Sequence, residues 1–101
     1  MKLVIVTVVE DFESDVLQLF KNAGIEQFSG SEIDGYRNQA SLLRAASWFP
    51  GKAGGVESSL FFSFTEADKI RRLFKEIEAF NSKMDTDNPV RAVVMPIEEY
   101  I

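Results

Sequence analysis

An α+β sandwich, with four antiparallel strands and two helices on one face, is the fold class this sequence predicts. Three observations lead there. Short β-branched or aromatic runs alternate with two amphipathic stripes of helical period, Gly- and Pro-rich breakers separate them, and 101 residues suffice for a single hydrophobic core. One domain spanning residues 1–101 is therefore expected.

Taken in order, Lys2 to Glu10 is rich in Val and Ile and ends at Asp11, a composition and length that favour a buried strand. Phe12, Val16, Leu19, Phe20 and Ala23 then fall on one helical stripe, with Asp11 or Ser14 as a cap and Gly24 as a stop. Gln27 to Tyr36 reads as a second strand interrupted by Gly30, which marks a bulge or a close backbone approach. Arg37 to Gly55 has no strand period and is long for a connection, the kind of loop that carries function or disorder. Val56 to Phe64 resumes a strand, and Thr65-Glu66-Ala67-Asp68 has capping-box spacing. Ala67, Ile70, Leu73, Phe74, Ile77 and Phe80 trace the second helix, Asp85 to Pro89 forces a turn, and Val90 to Met95 is the last strand before Pro96. The order strand, helix, strand, strand, helix, strand is the split βαβ pattern, a ferredoxin-like βαββαβ sandwich.

The strands are apolar on both sides. Leu3, Ile5 and Val9 oppose Val4, Val6 and Val8, Ala92 and Val94 oppose Val93 and Met95, and Leu60, Phe61 and Phe62 are consecutive. Helices cover one face only, so the other requires a partner, and apolar patches of that kind mark interaction surfaces. A closed homo-oligomer is the expectation; the alternative is that the long loop folds across the sheet.

A net charge of −5 disfavours a nucleic-acid surface, which depends on Lys and Arg neutralising phosphates. With neither Cys nor His, disulfides, thiolate chemistry and the commonest metal ligand and proton shuttle are missing, so no metal site and no catalytic residues are expected. The amino-terminal residues lack the pattern of a signal peptide and no window has transmembrane length, which predicts a cytoplasmic protein.

The most informative stretch is Ser31 to Gln39. Gly35 permits close backbone approach to a ligand and Arg37 offers a fork of donors suited to phosphate or carboxylate, the plainer reading being a strand end with a solvated Arg. In the loop, Leu42, Leu43, Ala46, Trp48 and Phe49 beside Arg44 and Lys52 are either partner anchors or residues packed on their own sheet. Gly51-Lys52-Ala53-Gly54-Gly55 lacks the spacing of a phosphate loop and precedes a strand rather than a helix. Glu98 and Glu99, with Asp85 and Asp87, read as solvated acidic surface rather than a magnesium or calcium site.

Over almost its whole length the chain resembles the PII signalling family (nitrogen regulatory protein P-II). The likeness rests on the element order, on a Ser-Glu-hydrophobic-x-Gly-aromatic segment at the end of the second strand, on the long loop after it, and on Met95-Pro96-Ile97-Glu98-Glu99. The resemblance implies a homotrimer that binds an adenine nucleotide in clefts between subunits and controls a partner, such as a membrane transporter, through loop 37–55. Carried over residue by residue, it points to Gly35, Tyr36, Arg37 and Gln39 at the loop base and to Arg91 where the family has a phosphate-contacting Lys. Leu42, Leu43, Arg44, Trp48 and Phe49 would then form the partner-binding surface. Asp87-Asn88-Pro89-Val90 replaces the family's glycine-rich turn, no basic residue follows Arg91, and no Tyr lies in Arg37 to Gly55 to accept uridylylation. A divergent member that binds a smaller or different anion, or no nucleotide at all, is the resulting expectation.

Two alternatives are a small enzyme on the same fold and a protein resembling the divalent-cation tolerance family. Acylphosphatases present an Arg after the first strand, where this chain has Asp11-Phe12-Glu13. A cation-tolerance role would rest on carboxylates and Met1, Met84 or Met95, which select soft metals poorly.

Overall fold

The computed structural model describes residues 1–35 and 56–101. Four strands, β1 (Lys2–Val9), β2 (Ser29–Gly35), β3 (Val56–Thr65) and β4 (Arg91–Pro96), form one antiparallel sheet in the order β2-β3-β1-β4. Helices α1 (Glu13–Asn22) and α2 (Ala67–Lys83) link β1 to β2 and β3 to β4, so the fold is the expected ferredoxin-like βαββαβ sandwich.

Register decides which side of each strand meets the helices. Val4 pairs with Ser63 and Val94, Val6 with Phe61 and Ala92. Val4, Val6 and Phe61 share a core with Val8, Val16, Leu19, Phe20, Ile70, Leu73 and Ile77, all buried, and the half-buried Ala92 and Val94 pack against it. The apolar stripes read from the sequence thus face inward, and Phe74 and Phe80 pack against the edge of the core.

Gly30 needs its missing side chain. A Cβ there would stand 2.6 Å from two ring carbons of Phe61, so the expected close approach is between a backbone and an aromatic ring. Phe61 can then stack edge-on against Phe20 and Phe28, with ring centroids 6.0 and 5.9 Å away.

The helix starts differ from expectation. A single 3-10 turn, Glu10–Phe12, precedes α1 and places Phe12 at its N-cap, so neither Asp11 nor Ser14 caps it. At α2 the N-cap is Glu66, with no side-chain bond, because Thr65 is still paired with Lys2 as the last residue of β3. The end of α1 follows the sequence closely: Gly24 adopts φ 80°, its N–H donates to Lys21 O and that of Ile25 to Phe20 O, each at 3.0 Å.

Among the described residues, no helix is long and apolar enough to cross a membrane.

Candidate functional site

The registers Val9 with Ser58, Asp34 with Glu57, and Thr7 with Arg91 bring the ends of β1 and β2 and the starts of β3 and β4 to one end of the sheet. The two faces differ there.

On the helix side a hollow of about 420 Å³ is lined by Glu10, Glu13, Glu32, Asp34 and Glu57, together with Ile33, Ser58 and Ser59. Alternation along β2 places Glu32 and Asp34 on one side, Glu57 stands opposite Asp34, and the 3-10 turn carries Glu10 and delivers Glu13 to the start of α1. Ser59 Oγ donates to Glu13 Oε2 at 2.7 Å and ties the helix to β3. Glu10 titrates above the ordinary glutamate range, chiefly because its protonated carboxyl hydrogen-bonds Glu57, and further because Glu57, Glu32 and Glu13 add negative charge around it. Among the described residues, no group of three or more acidic side chains is placed to hold a metal ion.

On the open face Leu3, Ile5, Leu60, Phe62, Phe64, Val93 and Met95 make an apolar surface, as their registers dictate. Phe62 and Phe64 are 37% and 56% exposed and meet edge to face at 6.1 Å between centroids. At the end nearest the acidic hollow the surface turns polar: Arg91 is exposed and makes no ion pair among the described residues. Its cross-strand neighbour Thr7 is fully buried, and its Oγ1 has no hydrogen-bond partner among the described residues.

Of the residues predicted to bind a ligand, Gly35 ends β2 opposite Val56, and Arg91 opens β4. The order β2-β3-β1-β4 puts them on opposite edges, three strand spacings or about 14 Å apart before any offset along the strands. Arg91 lines up through Thr7 and Leu60 with Ser31 rather than with Gly35. One subunit therefore does not bring the two together. Tyr36, Arg37 and Gln39, and the predicted partner-binding residues Leu42, Leu43, Arg44, Trp48 and Phe49, lie outside the described residues.

A solved structure shares this architecture. The chain superposes on the crystal structure of a DUF3240 family protein from Shewanella baltica OS155 with a TM-score of 0.66 and 19% identity, over 98% of this chain and 91% of that one. The likeness is one of fold. No family model and no curated protein matches the sequence.

Sequence reasoning missed the acidic hollow, whose five carboxylates come from four separate elements. The available signals were the alternation Glu32-x-Asp34 and the helical spacing of Glu10 and Glu13, neither of which shows that the two sets meet.

Proposed function

We propose that the chain is a PII-like regulatory protein. It acts by binding rather than catalysis, as a homotrimer that takes a small anion, an adenine nucleotide or a smaller one, in clefts between subunits. Ligand occupancy is relayed to a partner protein through loop 37–55.

The observation that carries this reading is the separation of Gly35 and Arg91 on opposite edges of a sheet whose open face is apolar. A ligand small enough to be held by the loop base and by Arg91 together needs one edge from each of two copies. Burying Phe62, Phe64 and Met95 against a neighbour supplies the reason for copies to meet. The charge distribution points the same way: five carboxylates repel an anion from the helix side, and the exposed guanidinium of Arg91, without an ion pair among the described residues, stands on the other. Without His or Cys, the usual nucleophile and base pairs are unavailable.

Calorimetric titration of the assembled protein with ATP, ADP, AMP, cyclic AMP and bicarbonate tests the reading. One of them binds, and Arg91→Ala weakens it about tenfold or more while the assembly persists, the loss expected for a charge-assisted contact of about 1.5–3 kcal/mol. No binding by any of the five, or equal affinity in the variant, contradicts the site.

A further inference from the structure

A second surface lies on the far side of the molecule from the open face, where α2 packs over β4. β4 is an edge strand of the sheet, with one side of its backbone unpaired among the described residues. Between it and α2 runs a groove of about 430 Å³ whose apolar wall is made by Ile70, Phe74 and Val94. Lys2, Arg71 and Lys75 rim it, against a single acidic residue, Glu78. None of the three cations makes an ion pair among the described residues, although the chain as a whole carries −5. Three free positive charges around an apolar slot favour an occupant that is both acidic and apolar.

The shape narrows the choice. The α2 residues of the wall run from Ala67 to Glu78, which at 1.5 Å per residue is about 16 Å of groove. An extended peptide covers that length with roughly five residues at 3.3 Å each. The chain itself carries such a segment. Ile97-Glu98-Glu99-Tyr100-Ile101 follows β4, combines two adjacent carboxylates with apolar residues on either side, and has Tyr100 81% exposed. It does not occupy its own groove.

We propose that the groove between α2 and β4 binds residues 97–101 of a second copy of this chain, with Glu98 and Glu99 against Arg71, Lys75 and Lys2, and Tyr100 or Ile101 against Phe74 and Val94. This interface is separate from the open sheet face and does not rest on the regulatory reading. It links copies by a short segment rather than by a flat surface, and salt weakens it because its charges lie at the rim.

The absence of cysteine allows a clean test. Glu78→Cys protein is mixed with a mass-tagged Tyr100→Cys protein, which keeps Ile101 as the apolar contact, under mild oxidation, both as full chains. A mixed disulfide between the two is expected, reduced several-fold by Arg71→Glu in the groove partner and restored when the segment partner also carries Glu98→Lys and Glu99→Lys. Arg71 is exposed, so its reversal leaves the fold intact, which circular dichroism verifies. A mixed disulfide indifferent to Arg71→Glu, or none at all, overturns the proposal. So does a Glu78→Cys/Tyr100→Cys double variant that closes only within one chain.

Discussion

The side-chain amide of Asn81 holds both backbone polar groups of Val90: its Nδ2 donates to Val90 O at 3.0 Å, and its Oδ1 accepts the Val90 N–H at 2.9 Å. Val90 is buried immediately before β4, so these bonds satisfy a donor and an acceptor that water does not reach, and they tie the last turn of α2 to the start of the edge strand. Asn81→Ala leaves both groups unpaired. Its expected loss of stability is about 2–4 kcal/mol, taking about 1–3 for each buried unsatisfied group and some relaxation. Urea unfolding monitored by circular dichroism measures it, and a loss well under 1 kcal/mol would show that the clamp contributes little.

Gly30→Ala presses a methyl group into the ring of Phe61. Because that ring is packed against Phe20 and Phe28, it has little room to retreat, and overpacking of this kind destabilises by about 1–3 kcal/mol. The companion change Phe61→Leu in the same background should recover part of that loss, a coupling that a double-mutant cycle reads directly.

Glu10 makes stability depend on pH. The native state raises the affinity of Glu10 for a proton, first through the hydrogen bond to Glu57 and then through the surrounding negative charge. Over that range the folded state binds more protons than the unfolded one, so stability is greatest below the ordinary glutamate value of about 4.3 and falls as pH rises through the raised one. Glu10→Gln keeps a donor toward Glu57 and removes the charge. Thermal unfolding should show the variant more stable than the parent at neutral pH, with the difference vanishing in acid. An equal difference at both pH values would mean that repulsion in the hollow is not its source.

How far the fold could be read in advance follows from which signals are local. The β-branched run of β1 and the stripe through Ile70, Leu73 and Ile77 each lie within one element, and both faces of β1 and β4 were assigned as the registers place them. Helix starts were less legible, since Thr65 looks like a cap yet is claimed by its pairing with Lys2. The burial of Thr7 beside Arg91 was invisible because composition marks Thr only as a strand former. The acidic hollow needed the register of β2 on β3 and the 3-10 turn after β1, which no single segment encodes.

Self-association across the open face is the claim on which the regulatory reading stands, and sedimentation equilibrium at micromolar concentration addresses it. The account predicts a mass of three 11.4 kDa subunits for the parent and one for Phe62→Glu/Phe64→Glu, with unchanged circular dichroism because both rings lie outside the core. A parent protein that sediments as a single subunit, or a doubly charged variant that assembles as before, would contradict it.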